Sequence, residues 1–84
     1  MRVTVKLYAG LQDYLPVKTN ANSAPLEIDA DTTVYQVIDR FQIPRDEAHL
    51  ILLNGVFVEP DARDMAGLFK EGDTLAVWPP VAGG

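Results

Sequence analysis

Polar and apolar residues alternate at both ends of the 84-residue chain, and this pattern constrains the fold more than any other feature. A period of two residues is typical of a strand that buries one face. We therefore predict a first and a last strand that pair in parallel at the centre of a sheet. The two segments cover residues 2–8 and 74–78, and their inward positions are Val3, Val5, Leu7, Leu75 and Val77.

One amphipathic helix is predicted between these strands. Thr33 and Gln36 have the spacing of a capping box, in which each side chain satisfies a free backbone N–H of the first turn. Pro44 is expected to end the helix, which would then be about ten residues long. The apolar stripe at i, i+3, i+4 and i+7 consists of Val34, Val37, Ile38 and Phe41.

Two hairpins supply the remaining strands. Residues 26–29 alternate again and are predicted to return along the first strand after a polar loop over residues 17–25. The apolar run over residues 50–53 predicts a buried strand. Asn54-Gly55 follows, the strongest short signal for a type I′ turn, and residues 56–58 form the returning strand.

The order of elements predicts the fold class. A connection over residues 61–70, with a helical turn over 65–69, leads through Glu71-Gly72-Asp73 into the last strand. Hairpin, helix, short hairpin and final strand together predict a two-layer α+β domain, a ubiquitin-like β-grasp. It would have a mixed sheet of four to five strands with one main helix on one face. We assign residues 1–78 to this domain and residues 79–84 to an extended, flexible arm.

The arm has a composition suited to threading. Its residues are Pro79, Pro80, Val81, Ala82, Gly83 and Gly84. The prolines hold its start extended, because each fixes φ and restricts the residue before it. The two glycines carry no Cβ, so they fit a channel too narrow for any other residue. We expect a partner's active site to close around the carboxylate of Gly84.

Composition excludes several functions. The net charge is −5, with 12 acidic and 7 scattered basic residues, which argues against nucleic-acid binding. No segment approaches the roughly 20 apolar residues of a membrane span, so we expect a cytoplasmic protein without membrane contact. There is no cysteine, His49 is interpreted as a surface residue, and the acids near turns are interpreted as bonding nearby backbone. We therefore expect neither a metal site nor a cofactor bound by the chain itself.

An aromatic patch is predicted on the face of the sheet away from the helix. Tyr8 and Trp78 fall on the outward positions of the first and last strands, and Phe57 in the short hairpin is expected to join them. A single helix cannot cover both faces of a sheet. An exposed aromatic cluster on a small acidic protein indicates a protein-binding patch.

With these features the whole chain resembles the MoaD/ThiS family of ubiquitin-like sulfur carriers. The most specific motif is Trp78 followed by Pro-Pro-Val-Ala-Gly-Gly, which is similar to the MoaD branch, the small subunit of molybdopterin synthase. The loop over residues 17–25 is longer than the tight hairpin of the shortest members. The family's apolar docking patch matches Tyr8, Phe57 and Trp78.

The resemblance implies a carrier cycle. An adenylating enzyme of the ubiquitin-activating type would use ATP to adenylate Gly84, and a sulfur donor enzyme would convert the acyl-adenylate to a thiocarboxylate. The carrier would then dock on the molybdopterin synthase large subunit and deliver sulfur to a cyclic pterin phosphate. Gly84 would be a reactant of this sulfurtransferase, whose catalytic groups lie on the partners.

Three alternatives stay open. The chain could carry sulfur for thiamine, cysteine or tungsten-pterin biosynthesis. It could be a protein modifier that joins Gly84 to lysines of target proteins. It could also be a β-grasp interaction module whose tail has no role.

Overall fold

A mixed sheet with one α-helix on one face makes up the part of the chain that the computed structural model describes, residues 1–16 and 22–80. Residues 17–21 of the predicted loop and Val81–Gly84 of the predicted arm lie outside the described residues. The strands are β1 (Arg2–Leu7), β2 (Ser23–Glu27), β3 (Leu50–Leu53), β4 (Val56–Phe57) and β5 (Thr74–Trp78), and the helix is α1 (Val34–Arg40).

The sheet has the order β2-β1-β5-β3-β4. β1 and β5 pair in parallel at its centre, with Val5 opposite Leu75 and Leu7 opposite Val77. The other neighbouring strands pair antiparallel. The predicted parallel pairing of the first and last strands and the ubiquitin-like β-grasp are both confirmed.

The core lies between α1 and one face of the sheet. Alternate residues of β1 and β5, together with Ile51 of β3, point toward the helix and are fully buried, as the two-residue period requires. The helix contributes the stripe that its 3.6-residue period predicts. The innermost side chains are Val3, Val5, Leu7, Ile51, Leu75 and Val77 from the sheet and Val34, Val37 and Ile38 from the helix.

The helix begins as predicted and ends earlier than predicted. The capping box forms, because Thr33 Oγ1 accepts the N–H of Gln36 and Gln36 Oε1 accepts the N–H of Thr33. The helix then stops at Arg40 after seven residues, well before Pro44. Proline is therefore not the residue that ends it.

A Schellman motif closes the helix instead. Gln42 adopts a left-handed conformation with φ of 61°. The N–H of Ile43 then donates to the carbonyl of Ile38 at 3.3 Å, and the N–H of Gln42 donates to that of Asp39 at 2.9 Å. Because glycine is the usual residue at this position, glutamine gave no signal for the helix end.

β2 begins earlier than predicted. It starts at Ser23 and includes Pro25, which we had assigned to the loop, and it ends at Glu27. Pro25 lies opposite Thr4 of β1. A proline is compatible with this position because β2 is an edge strand. Such a strand has a partner on one side only, so its residues do not all need an N–H that donates to a neighbouring strand.

The second hairpin has the predicted turn, but its strands differ from the prediction. Asn54 and Gly55 have φ of 51° and 82°, both positive as a type I′ turn requires. β4 ends at Phe57, one residue sooner than predicted. The prediction that the whole run over residues 50–53 is buried is wrong. Ile51 is buried, whereas Leu50 is exposed and Leu52 and Leu53 are half-buried. The helix covers only one face of this strand.

The helical turn predicted over residues 65–69 is also wrong. A 3₁₀ turn lies earlier, at Pro60–Ala62, where proline occupies a first-turn position whose N–H needs no helical partner. Gly67 has a φ of 85°, which no right-handed helical turn accommodates.

Candidate docking face and the base of the arm

Tyr8 and Trp78 form a stacked pair at the end of the central strands. Their ring centroids are 4.4 Å apart and the ring planes are inclined by 7°. The parallel register causes this contact, because Leu7 lies opposite Val77 and the next residue of each strand points to the other face. Both rings are half-buried and lie away from the helix.

Phe57 lies on the same face but two strands away from this pair. Its partner in the register is Leu52, and Leu52 lies opposite Ala76. Leu50, in turn, lies opposite Trp78. The predicted aromatic residues therefore share a face without forming one cluster, and the two leucines of β3 bridge them. We call Tyr8, Leu50, Leu52, Phe57 and Trp78 the open face.

Sequence reasoning missed Leu50 and Leu52. A continuous apolar run suggests a strand buried on both faces. The prediction of a single helix could have revealed their position. One helix covers one face of the sheet, so alternate residues of β3 must lie on the uncovered face. Leu50 is 37% exposed and Phe57 is 50% exposed.

Few charges lie on this side of the sheet. Lys6 lies opposite Ala76 in the register, next to the apolar residues of the open face. At the other end of β1, Arg2 Nε binds Glu27 Oε1 at 2.8 Å in an exposed ion pair, which contributes little to stability. The open face itself is thus apolar, and Lys6 lies beside it.

The backbone fixes the base of the arm. The N–H of His49 donates to the carbonyl of Trp78 at 3.0 Å, and the N–H of Tyr8 donates to the carbonyl of Val77 at 3.1 Å. Pro79 is half-buried and Pro80 is exposed. Gly84, Gly83, Ala82 and Val81 lie outside the described residues, so their predicted role stays a prediction.

Arg63 is a buried cation that the sequence analysis did not single out. Its guanidinium donates to three backbone carbonyls, those of Val58 at 3.0 Å, Ala48 at 3.2 Å and His49 at 3.1 Å. Its guanidinium carbon also lies 5.8 Å from the centroid of the Phe57 ring. Arg63 therefore joins the start of β3 to the end of β4 and stiffens the open face. Nothing in its local sequence distinguished it from the other scattered bases.

An apolar cleft of about 520 Å³ lies at the β4 edge, between the short hairpin and the connection that follows it. Its lining is apolar except for one carboxylate. The lining residues are Leu53, Val56, Phe57, Val58, Glu59, Ala62 and Leu68.

The titratable groups with altered pKa values belong to surface contacts of other regions. Hydrogen bonds from Arg45 hold the pKa of the Asp39 carboxyl below its usual range, and the reciprocal contact raises the pKa of Arg45. The hydrogen bond from the Tyr14 hydroxyl to Glu47, 2.9 Å long, raises the pKa of Tyr14. His49 is exposed.

No group of three or more metal-ligating side chains is present within residues 1–16 and 22–80. Asp73, one of the acids that we assigned to turns, accepts the backbone N–H of Lys70 at 2.7 Å. Among the residues whose positions are described, no helix has the length and apolar character needed to cross a membrane.

The strand order and the single helix define a ubiquitin-like β-grasp domain. More particularly, the chain belongs to the Mut7-C ubiquitin family, whose model matches residues 1–83. No curated protein matches the sequence.

Solved structures share this fold over nearly the whole chain. The HVO 2177 protein of Haloferax volcanii has a TM-score of 0.73 at 26% identity, covering 100% of this chain and 87% of that one. Small archaeal modifier protein 1 of the same organism has a TM-score of 0.67 at 23% identity, covering 95% and 98%. The complex of subunits 1 and 2 of the molybdopterin-converting factor of Helicobacter pylori 26695 contains a chain with a TM-score of 0.58 at 19% identity, covering 100% of both.

Proposed function

We propose that this protein is a sulfur carrier whose Gly84 carboxylate is activated and converted to a thiocarboxylate. The observation that carries the proposal is the position of Trp78. This residue ends the central strand β5, stacks on Tyr8 and continues directly into Pro79-Pro80. The Gly-Gly sequence thereby follows a central strand of the sheet, beside an apolar face suited to a protein partner.

The chemistry explains why partners are needed. A carboxylate resists nucleophilic attack because its charge is delocalised and its leaving group is poor. When a carboxylate oxygen attacks the α-phosphorus of ATP, pyrophosphate leaves and an acyl-adenylate forms. Hydrosulfide supplied by the sulfur donor enzyme then attacks the acyl carbon and displaces AMP, and loss of its proton leaves the thiocarboxylate on Gly84. The chain has no cysteine and a single histidine, so these catalytic groups belong to the adenylating and donor enzymes.

For the acceptor, we propose molybdopterin synthesis, with this chain as the small subunit of molybdopterin synthase. The Trp-Pro-Pro-Val-Ala-Gly-Gly motif and the likeness in fold to a chain of the Helicobacter pylori two-subunit complex support this assignment. The open face would dock on the large subunit, and the arm would enter that subunit's active site. The cycle would run in the cytoplasm, and ATP would bind to the activating enzyme.

A protein modifier is the second candidate. The likeness in fold to small archaeal modifier protein 1 favours it. Activation would be the same, but the amine of a target lysine would displace AMP and form an isopeptide bond with Gly84. Carriers for thiamine, cysteine or tungsten-pterin synthesis would share the thiocarboxylate step and differ only in the acceptor.

Intact mass spectrometry tests the proposal. The 84-residue protein would be produced with its cognate adenylating enzyme and a sulfur source. We expect a mass gain equal to replacement of one oxygen by sulfur, and no gain in a variant lacking Gly84. Conjugates that survive denaturation and thiol reductant would favour the modifier. An unmodified mass beside an adenylating enzyme that is active on another carrier would contradict both.

A further inference from the structure

One row of the sheet places a lysine beside the centre of the open face. Lys6 of β1 lies opposite Ala76 of β5, and Ala76 lies opposite Leu52 of β3. All three side chains point away from the helix, because the residues before and after each of them pack in the core. A partner docked on the open face therefore meets a positive charge, a methyl group and an isobutyl group in one line.

Ala76 forms the floor of a shallow depression in this row. Adjacent strands lie about 4.8 Å apart, so the longer side chains of Lys6 and Leu52 flank Ala76 on its two sides. Trp78, two residues further along β5, bounds the depression at one end. Ala76 itself is only half-buried. The depression thus has room for one apolar side chain of a partner, at the centre of the surface, where such anchors contribute most to binding.

The ammonium group of Lys6 has no carboxylate beside it on this face. Its neighbours in the register are Ser23 on one side and Ala76 on the other. Within the described part of the chain Lys6 forms no ion pair, and Glu27, the acid of β2 that faces the same way, is bonded to Arg2 at 2.8 Å. A partner that covers the open face must take this ammonium out of water, which is unfavourable unless the partner supplies an opposite charge.

We infer that the adenylating enzyme presents a carboxylate next to an apolar side chain, the carboxylate for Lys6 and the apolar side chain for the depression over Ala76. This inference rests on the proposed function and adds the chemistry of the partner surface to it. The net charge of the chain is −5, so its overall charge favours a basic partner. Lys6 therefore selects its partner through a local, desolvated contact, which acts on the dissociation rate more than on the association rate.

The test is binding of carrier variants to the cognate adenylating enzyme, measured by surface plasmon resonance at about 0.15 M and about 0.5 M salt. Lys6→Glu places two like charges together, so we expect Kd to rise at least about 100-fold, mainly through faster dissociation and at both salt concentrations. Lys6→Arg keeps the charge and should keep most of the affinity.

Lys70→Glu is the matched control for the charge. It makes the same change in net charge at an exposed lysine outside the sheet. Its effect on Kd should stay below about threefold, arise from the association rate, and disappear at the higher salt concentration, because exposed charges are screened.

Ala76→Leu tests the depression separately. Leucine keeps the face apolar but occupies the space of the partner's side chain, so Kd should rise at least about tenfold. Ala30→Leu adds the same side chain at an exposed position before α1 and should leave Kd unchanged. Far-ultraviolet circular dichroism and the melting temperature of each variant separate a loss of binding from a loss of folding.

The outcomes distinguish this inference from the proposed function. If folded Lys6→Glu binds like the wild type, or no worse than Lys70→Glu, the partner has no carboxylate at Lys6 and the inference is overturned. If Ala76→Leu binds like the wild type, no side chain enters the depression and that half of the inference is overturned. In both cases a sulfur-for-oxygen mass gain on the wild-type protein keeps the carrier function. If the wild type shows neither binding nor mass gain with an enzyme that activates another carrier, the proposed function fails and the inference fails with it.

Discussion

The side chains of Asn54 and Asp73 are hydrogen-bonded to each other across the end of the sheet. Asn54 Nδ2 donates to Asp73 Oδ1 at 2.8 Å, and Asn54 Oδ1 accepts the N–H of Thr74 at 2.9 Å. The second carboxylate oxygen of Asp73 accepts the N–H of Lys70 at 2.7 Å. The turn between β3 and β4 and the turn before β5 therefore form one bonded unit. This unit holds β5, and with it the base of the arm, in register with β3.

Asp73→Ala should lower the free energy of unfolding by about 1–3 kcal/mol, since two donors lose their acceptor at a buried site. Urea denaturation monitored by far-ultraviolet circular dichroism measures the change. Asp31→Ala is the matched control, because Asp31 is exposed and its removal should change stability by less than about 0.5 kcal/mol. Equal stability of the two variants would show that the bonded unit contributes nothing.

Arg63→Met should lower the free energy of unfolding more than Asp73→Ala does. Methionine fills similar space but removes the donors of three backbone carbonyls, two of them in buried hydrogen bonds, so we expect a loss of about 3 kcal/mol or more in the free energy of unfolding. Arg63→Lys should recover only part of this loss, because one ammonium group does not reproduce the planar fork of donors. Thermal denaturation gives the comparison, with the exposed Arg40→Met as control. A Lys variant as stable as the wild type would contradict the geometric argument.

Gln42→Gly should stabilise the protein. Gln42 holds a left-handed conformation, which costs a residue with a Cβ about 1 kcal/mol that glycine does not incur. We therefore expect the unfolding free energy to rise by about 0.5–1 kcal/mol, measured by urea denaturation. Gln36→Gly, within the helix, is the opposite control and should destabilise by about 1 kcal/mol or more, because it adds the cost of glycine in a helix to the loss of the capping-box acceptor. A loss of stability in Gln42→Gly would show that the side chain of Gln42 contributes more than its backbone costs.

The Asp39–Arg45 pair should make stability depend on pH in a defined direction. Arg45 lies over the Tyr35 ring at 4.4 Å and donates two hydrogen bonds to Asp39, which lower the pKa of that carboxyl from its ordinary value of 3.8. A lowered folded-state pKa means that the pair contributes fully above the unfolded-state value and loses its contribution as pH falls through the folded-state value.

The stability difference between the wild type and Asp39→Asn should accordingly be constant from about pH 7 to about pH 5 and shrink as the solution becomes more acidic than about pH 4. Urea denaturation at several pH values measures it, and the difference should be small because both side chains are about half exposed. A stability difference that grows as the pH falls would contradict the lowered pKa of Asp39.

Much of the fold was predictable because its strongest signals are local. The alternation in β1 and β5, the capping box at Thr33 and the positive φ values of Asn54-Gly55 each follow from a few adjacent residues. The errors arose where local propensity gave no signal or pointed elsewhere. Gln42 ends the helix in a conformation typical of glycine, and Pro25 lies in a strand only because that strand is at the edge.

The candidate site was predictable only in outline. Strand alternation placed Tyr8 and Trp78 outward, but their stacking depends on the parallel register, which brings together residues 70 positions apart. Leu50 and Leu52 looked like core because composition alone does not reveal that one face of β3 is uncovered. Arg63 was overlooked because its function comes from three carbonyls that are distant in sequence.

Leu50→Asp tests whether the open face binds a partner. Leu50 is exposed and lies opposite Trp78, so an aspartate there should place an unpaired charge at the centre of the contact. We expect the Kd for the adenylating enzyme, measured by isothermal titration calorimetry, to rise at least about tenfold, as it does when a central interface residue is lost. The variant should still fold, because Leu50 is 37% exposed and lies outside the buried core, and its melting temperature separates a loss of binding from a loss of folding.

Val56→Asp is the matched control for this experiment. Val56 is 68% exposed on the neighbouring strand, but it lies opposite Leu53, whose side chain points to the helix side of the sheet. The same charge is thus introduced in the same hairpin but on the other face, and Kd should stay near that of the wild type. If both variants weaken binding equally, the partner contacts the hairpin edge and its apolar cleft. If only Val56→Asp weakens binding, the open face is not the docking surface.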